Sequence, residues 1–250
     1  MGWLFPVAAM NSDLHPVLSA LQTGNLQLQG QFLSGSNYTF MAEVLFKELK
    51  FTAVYKPVRG EQPLWDFPPN TLCKREVAAY QVSEILGWEL VPPTVFRRKG
   101  PLGAGSLQAY VDHDPGYHYF NFTQQDRDRL RPVALFDLLI NNADRKGGHI
   151  LKAQDGHLWL IDHGICFHEE DKLRTVVWDF AGEPIPPELM SDLCRFVDEQ
   201  TAAQLVAQKV AGMLRPSEIA ALQSRARRLI DAGSFPQPLN SRRYYPWPPV

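Results

Sequence analysis

Two short stretches carry residues that could act together on a phosphate group. The segment DRKGGH at residues 144–149 places charge and flexibility between two apolar segments. The segment LWLIDHG at residues 158–164 ends a strand-like run in an aspartate, a histidine and a glycine. A carboxylate on a tight loop can orient a hydroxyl and accept its proton, and one at the end of a buried strand can bind Mg²⁺. The pattern therefore predicts a base, Asp144, and a metal ligand, Asp162, 18 residues apart.

Two neighbours of Asp144 could support this chemistry. His149 could be a neutral imidazole ligand for a divalent metal, although a histidine just before a strand is more often a structural hydrogen-bonding residue. Arg145 could pair with Asp144 or with a substrate anion. Asp162 itself has an ordinary alternative, because aspartate and glycine close together also form simple turns.

The first half of the chain offers a cation and a cover for phosphates. Lys56 lies among strand-forming residues in AVYKPV, and an ammonium group can reach two phosphate oxygens. Glu76, 20 residues further on in a predicted helix, could hold that lysine. The SGSN segment at residues 34–37 could lay backbone N–H groups over phosphates. The ordinary alternatives are an edge-strand lysine, a solvated helix carboxylate and a hairpin turn.

The order of these candidates along the chain favours a common function. A hairpin loop, a strand lysine, a helix glutamate, a loop aspartate and an Asp-x-Gly segment follow one another. Phosphoryl transfer needs a phosphate cover, a cation, an anchor for the cation, a base and metal ligands. Chance would rarely produce all five in order. A serine hydrolase is disfavoured because the sequence has no Gly-x-Ser-x-Gly elbow.

The elements that must position these residues are mainly strands before residue 112. Residues 27–58 alternate between apolar and polar types and predict three strands, with a turn at 34–37. A helix is predicted from about Thr71 to Leu86, ended by Gly87, and one of its faces carries Leu72, Ala79, Val82 and Leu86. Residues 91–97 and 105–112 predict two more strands.

Helices dominate the rest of the chain. Thr123 and Asp126 resemble a capping box and predict a helix to about Asn142, with Pro132 early in it or kinking it. Residues 151–164 predict a hairpin around an Asp155-Gly156 turn. Ser217 is predicted to cap a last helix, in which Ile219, Leu222, Ala226 and Leu229 face inward and Arg225, Arg227 and Arg228 face largely outward.

These patterns predict a single α+β domain with two lobes. The chain has 250 residues, of which 45% are hydrophobic and 21% charged, the balance of a globular domain. We expect a β-rich N-lobe with one key helix at residues 22–112, a mainly helical C-lobe at 113–235, and an extended tail rich in proline and aromatic residues at 236–250.

The composition argues against several classes of protein. The formal charge is −2, so no nucleic acid partner is expected. No run of 18 apolar residues occurs, which argues against a membrane span, and the first residues lack the basic start of a signal peptide. Three scattered cysteines fit a reducing compartment without a disulfide framework. We expect a cytoplasmic monomer without integral membrane association.

The motifs resemble those of the phosphatidylinositol 3-/4-kinase superfamily, an atypical branch of the protein-kinase-like fold, and most nearly the type II phosphatidylinositol 4-kinases. The catalytic segment of that group is a helix followed by Asp-Arg, three variable residues and Asn; FDLLINNADRKGGHIL matches it except for His149. Its metal segment, Ile-Asp-x-Gly, is matched in LIDHGICF, and VYKP resembles its lysine strand. The resemblance covers about residues 27–170 and extends to a bacterial branch of the superfamily.

The resemblance implies a two-lobed kinase fold that uses ATP with Mg²⁺ or Mn²⁺. Lys56 would contact the α- and β-phosphates and be held by Glu76, while Asp144 would be the catalytic base with Arg145 beside it. Asp162 and His149 would bind the metal, although histidine is a poorer ligand for Mg²⁺ than an amide oxygen. The remaining nucleotide contacts would come from the phosphate cover and from an interlobe hinge at residues 108–112: Ser34, Gly35, Ser36, Asn37, Gln108 and Tyr110.

Three functions stay open at this level. The first is an ATP-dependent phosphotransferase acting on a hydroxyl of a small molecule, a protein or a lipid. The second is a nucleotide-binding regulator without turnover, similar to a pseudokinase, which the substitution at His149 motivates. The third is transfer of AMP rather than phosphate on a kinase fold. Fold likeness does not define the acceptor.

Overall fold

Lys56 lies on the central strand of an antiparallel sheet. The computed structural model describes residues 10–32, 37–198, 202–238 and 244–250, with the backbone alone for residues 10–15. The five-stranded sheet has the order β1-β2-β3-β5-β4, and its strands are β1 (Asn25–Phe32), β2 (Thr39–Phe46), β3 (Leu49–Pro57), β4 (Thr94–Arg97) and β5 (Gly105–Ala109). Because β3 pairs with both β2 and β5, the edge-strand alternative for Lys56 is wrong.

An N-terminal helix that the sequence pattern did not predict covers one face of this sheet. Helix α1 (Met10–Thr23) contains Pro16, a residue that normally argues against a helix interior. Its Ala20 and Leu21 are fully buried in a hydrophobic cluster that also contains Ala53 and Tyr55 of β3. Since side chains alternate along a strand, Lys56 lies on the opposite face of the sheet from α1.

Helix α2 (Leu72–Leu86) connects the sheet with the helical half of the protein. It begins within one residue of the predicted start, and Gly87 ends it in the left-handed region with φ 71°. The helix packs against β4 and β5 on one side and against α5 (Pro187–Val197) and α6 (Ala202–Lys209) on the other. Because it lies between the two halves, even its polar residues Arg75 and Glu76 are buried.

The helical half departs from prediction at Pro132. The expected continuous helix from Thr123 to Asn142 is instead two helices, α3 (Gln124–Asp128) and α4 (Arg131–Ile140). Proline lacks an N–H and fits the first turn of a helix better than the interior, so a new helix starts at Arg131. The Thr123 cap is confirmed, since its hydroxyl accepts the Asp126 N–H.

The remaining elements complete the helical half. Strands β6 (Ile150–Lys152) and β7 (Leu158–Leu160) form the predicted antiparallel hairpin. Helices α5 (Pro187–Val197), α6 (Ala202–Lys209) and α7 (Pro216–Ala232) follow. Leu135, Phe136 and Leu139 of α4 are fully buried in the core that these helices share with α2.

Helix α7 contains a buried arginine that was expected to face solvent. The helix begins at Pro216, and Arg215 rather than Ser217 is the residue before it. Arg227 and Arg228 are exposed as predicted, but Arg225 is only 7% exposed. Its guanidinium donates to the Leu139 and His168 carbonyls, which are hydrogen-bonding partners that sequence periodicity does not reveal.

None of the helices in the described part of the chain is long and apolar enough to cross a membrane.

Candidate active site

Lys56 contacts two of the other predicted site residues. The Lys56 ammonium bonds to the Glu76 carboxylate, and its Nζ lies 3.0 Å from Asp162 Oδ1. Burial lowers the pKa of Lys56, but the charges of Asp162 and Glu76 outweigh burial and raise the pKa above its ordinary value. The ammonium is therefore a fixed cation. It joins β3, α2 and the segment after β7, which are distant in sequence.

Asp162 is both ionised and accessible. The chain leaves β7 at Leu160, and Asp162 adopts φ 61°, a left-handed conformation that aspartate tolerates better than most residues. Lys56 holds the pKa of the Asp162 carboxyl well below its usual range. The side chain is 47% exposed, so the carboxylate can accept further ligands.

Glu76 contacts both sides of the cleft. One carboxylate oxygen binds Lys56, and the other accepts the His163 backbone N–H at 2.8 Å. Burial raises the pKa of Glu76, and the charge of Lys56 acts against that shift. Its position thus depends on the sheet and on the Asp162 segment together.

Asp144 lies on a turn that the end of α4 creates. Asn141 ends the helix in the left-handed region with φ 54°, and the Asn142 side chain accepts the Asp144 N–H at 2.9 Å. Lys146 Nζ is 3.4 Å from Asp144 Oδ2. Burial raises the pKa of Asp144 to about 6, with Lys146 opposing and Asp162 adding to the shift. This carboxylate is a base that changes charge slightly below neutral pH.

Arg145 does not pair with Asp144, so that expectation is wrong. Its guanidinium is fully buried and donates to Asp137 Oδ1 at 3.0 Å and to the Ile161 carbonyl at 2.8 Å. Its Nη2 lies 2.8 Å from His163 Nε2. Because a guanidinium only donates, this ring nitrogen must accept, and burial correspondingly lowers the pKa of His163. Arg145 connects the loop of Asp144 to the segment of Asp162 and is too deeply buried to meet a substrate.

His149 lies beside Asp162, but its second ring nitrogen does not face the kind of partner that a metal ligand has. Its Nε2 is 3.4 Å from Asp162 Oδ2, and burial lowers the pKa of the ring to about 4, so it is neutral at pH 7. Its Nδ1 faces the Lys146 N–H at 3.5 Å. A ligating histidine normally donates from its second nitrogen to an acceptor, whereas here that nitrogen faces a donor. The proton therefore belongs on Nε2, the ring nitrogen that lies nearer to Asp162.

The predicted nucleotide-binding segments are only partly described. Ser34, Gly35 and Ser36 lie outside the described residues, while the Asn37 side chain accepts the Gln62 N–H at 2.7 Å. The Gln108 side chain is buried and donates to the Thr94 hydroxyl. Tyr110 is partly exposed where the chain leaves β5, and an isolated bridge pairs His113 with Ala153 of the second half. The predicted hinge at residues 108–112 thus begins within β5 and ends next to this bridge, and its contact with adenine stays a prediction.

Sequence inspection missed two supports of the Asp144 loop. Asp137 is fully buried and binds both Arg145 and the Thr175 hydroxyl. The sequence did contain a signal of this support, since Asp137 is an acidic residue on the otherwise apolar face of α4. The second support is the segment at residues 244–250. Its Pro249 carbonyl accepts the Gly147 N–H at 2.7 Å, and its Tyr244 carbonyl accepts the Thr175 N–H at 3.0 Å.

Comparison with known proteins assigns the family. The profile of phosphatidylinositol 3- and 4-kinases matches residues 41–216, a range that contains Lys56, Glu76, Asp144, His149 and Asp162. The chain belongs to the phosphatidylinositol 3- and 4-kinase family. The predicted resemblance is thereby confirmed.

Relatives of this family member occur in bacteria and plants. Protein Rv2133c of Mycobacterium tuberculosis is 40% identical over 96% of both chains. Phosphatidylinositol 4-kinase gamma 4 of Oryza sativa is 30% identical over 72% of this chain but only 38% of its own length. The similarity to the plant protein therefore extends over well under half of that protein.

Solved structures show the fold. Hydra Fam20, determined with sugar, superposes with a TM-score of 0.59 at 15% identity and covers 89% of both chains. The Helicobacter pylori proinflammatory kinase CtkA gives a TM-score of 0.50 at 9% identity, covering 86% of this chain and 94% of that one. Together with the sheet and helices described above, these neighbours confirm the predicted two-lobed, kinase-like α+β fold.

Proposed function

We propose that this family member is an ATP-dependent phosphotransferase that transfers the γ-phosphate to a hydroxyl group. The observation that carries the proposal is the contact of Lys56 with both Glu76 and Asp162. A lysine anchored by a helix carboxylate and placed beside a metal-binding aspartate is the arrangement that phosphoryl transfer uses to bind phosphates.

Asp144 supplies the base in this proposal. The acceptor oxygen attacks the γ-phosphorus, its proton passes to the Asp144 carboxylate, and the bond from the γ-phosphorus to the bridging oxygen breaks. The electron pair of that bond leaves with ADP. A pKa of about 6 keeps Asp144 mostly ionised at neutral pH while leaving it basic enough to accept the proton.

The donor set of the site fits a divalent ion held mainly by Asp162. No group of three or more His, Cys, Asp or Glu side chains converges as a metal site among the described residues, so phosphates and water would complete the coordination shell, as Mg²⁺ prefers. His149 Nε2 lies 3.4 Å from Asp162 Oδ2 and is the second candidate donor. His149 can join the shell only if its proton moves to Nδ1. A bound ion would neutralise charge on the phosphates.

A specific feature favours a second candidate, nucleotide binding without turnover. His149 replaces the amide expected in the motif, and its protonated nitrogen lies near Asp162. Such a ring competes with a metal for the same carboxylate oxygen. A protein with this defect would still bind a nucleotide at Lys56.

Calorimetric titration with Mg-ATP and Mn-ATP tests the nucleotide site. We expect the wild type to bind at least one of them and Asp162→Asn to lose the metal-dependent part of the affinity. Asp155→Asn is the matched control, because Asp155 is an exposed turn residue whose bond to the His157 N–H an amide oxygen can replace. Absence of binding by folded wild-type protein would refute the proposal.

An acceptor screen with labelled ATP separates the candidate functions. The arms are vesicles containing phosphatidylinositol, free sugars and polyols, and a dephosphorylated protein mixture. Label transferred from the γ-phosphate supports the phosphotransferase and identifies the acceptor class. Label transferred from the α-phosphate indicates AMP transfer, and tight binding with no transfer in any arm favours the regulator.

A further inference from the structure

Helix α2 carries a second buried charge next to Glu76. Glu76 points to Lys56, while Arg75 is fully buried and points to the helical lobe. Its Nη1 donates to the Cys166 carbonyl at 2.6 Å, and its Nη2 donates to Glu218 Oε1 at 2.5 Å. Adjacent helical residues are rotated by about 100°, which allows these neighbours to reach different partners.

Glu218 is itself fixed at the start of α7. It is 1% exposed, and its Oε2 accepts the Arg215 backbone N–H at 2.8 Å. Burial raises the pKa of Glu218, but its hydrogen bonds to Arg215 and Arg75 outweigh burial and lower the pKa below its ordinary value. The Arg75 contact is thus an ion pair between helices whose partners are 143 residues apart.

The same arginine also reaches the segment that carries Asp162. Cys166 lies four residues after Asp162, and the ring of Phe67 lies 4.8 Å from the Arg75 guanidinium carbon. A guanidinium makes several planar hydrogen bonds at once, so one side chain holds α2 against both α7 and the Asp162 segment. Removing one member of a buried pair leaves an uncompensated charge, and water can reach the remaining member only if α2 and α7 separate.

We infer that Arg75 and Glu218 are a positioning pair that keeps helix α2 in the place where Glu76 holds Lys56. The geometry of Lys56 would then depend on a contact between α2 and α7 that lies outside the nucleotide site. This inference rests on the proposed function, because it explains how the ATP site stays competent.

The test compares two buried arginines. Arg75→Met removes the pair, whereas Arg225→Met removes a buried arginine of α7 that bonds to the Leu139 and His168 carbonyls instead. The measurements are Mg-ATP affinity by calorimetry, amide hydrogen exchange across residues 72–86, and the thermal midpoint. Both variants are expected to unfold at a lower temperature than the wild type, so stability alone does not distinguish them.

The expected difference lies in binding and in helix exchange. Arg75→Met should weaken Mg-ATP binding about tenfold, within the usual range of coupling between sites, and speed exchange across α2. Arg225→Met should change affinity by no more than about twofold, and Arg75→Lys should recover part of the loss because it keeps the charge but not the planar fork.

Two outcomes overturn the inference. One is a folded Arg75→Met protein with wild-type affinity and wild-type exchange across α2, which leaves the proposed function intact. The other is an Arg225→Met protein that shows the same losses, which makes the effect general destabilisation. If Arg75→Met does not fold, Glu218→Gln takes its place in the test, because glutamine still accepts the Arg215 N–H. Wild-type Mg-ATP affinity and wild-type exchange across α2 in that variant also overturn the inference. If the wild type does not bind ATP, the proposed function fails, and α2 exchange still tests the pair.

Discussion

The Lys56 region and the Asp144 region, the proposed nucleotide side and acceptor side of the site, are built in different ways. On the nucleotide side, Lys56 contacts two carboxylates, and one of them is buried between the lobes. On the acceptor side, Asp144 has one charged partner, Lys146, at 3.4 Å, and burial raises its pKa to about 6. The first region holds charge in a fixed geometry, whereas the second holds a group able to exchange a proton.

The supports of the two regions differ as well. The nucleotide side is held by side-chain ion pairs, including Arg75 with Glu218. The loop at residues 144–149 is held partly by backbone bonds, because the Pro249 carbonyl accepts the Gly147 N–H. Ion pairs hold Lys56, the cation of the proposed nucleotide side. Backbone bonds from residues 244–250 hold the loop of Asp144, the proposed acceptor side.

The largest effect is expected from Asp144→Asn, which separates the two regions most sharply. The amide cannot accept the hydroxyl proton, so the rate of transfer should fall by about 10²–10⁴. Mg-ATP affinity should stay within about twofold, because Lys56 and Asp162 are unchanged. Production of ADP and calorimetry measure the two quantities, and Asp171→Asn, at an exposed carboxylate of the same lobe, is the control. Transfer at the wild-type rate would exclude Asp144 as the base.

The second prediction concerns the pH dependence of transfer. Asp144 must be ionised to accept a proton, and its pKa is about 6; the rate should therefore rise about tenfold per pH unit below 6 and level off above it. Removing the Lys146 ammonium, which lowers the pKa of Asp144, should shift the profile of Lys146→Met to higher pH. A profile that is flat from pH 5 to pH 7, or a shift to lower pH in the variant, contradicts this assignment.

A smaller effect is expected from His149→Asn, which restores the amide of the family motif. An amide oxygen is a better ligand for Mg²⁺ than imidazole and carries no proton. The ratio of Mg-ATP to Mn-ATP affinity should rise a few-fold in His149→Asn and should not rise in His149→Ala, which removes the ring without adding a ligand. Equal ratios in both variants would mean that His149 acts only by occupying space.

Sequence order predicted the surroundings of Lys56 better than those of Asp144 for a physical reason. Lys56 and Glu76 lie in regular elements and Asp162 follows one. The ends of these elements were recognisable, such as α2 with Gly87 at its end. The convergence of the three residues follows once the strand, helix and hairpin are placed. Arg145 was misassigned because it follows Asp144 directly in the sequence, and neighbouring opposite charges suggest an ion pair. Its actual partner, Asp137, lies on the buried face of α4.

Features that depend on distant packing had no local signal. In the sequence, Arg225 resembles the exposed arginines that follow it on α7. Its guanidinium nevertheless donates to carbonyls at the end of α4 and after β7. The contact of Pro249 with Gly147 joins residues 102 positions apart. A pattern read along the chain gives the face of a helix, but it does not give the carbonyls that a buried arginine will meet.

The smallest expected effect tests the acceptor side through two adjacent glycines. A Cβ on Gly147 would lie 2.8 Å from the Phe120 ring, whereas one on Gly148 would meet only Val250 Cγ1 at 3.9 Å. Phe120 is 45% exposed and can move, so Gly147→Ala should displace the loop slightly and lower transfer a few-fold without changing Mg-ATP affinity. Gly148→Ala is the matched control and should behave as the wild type in both assays. If Gly147→Ala instead weakens ATP binding while transfer from bound ATP is unaffected, the loop belongs to the nucleotide side, and the contrast between the two regions is wrong at this position.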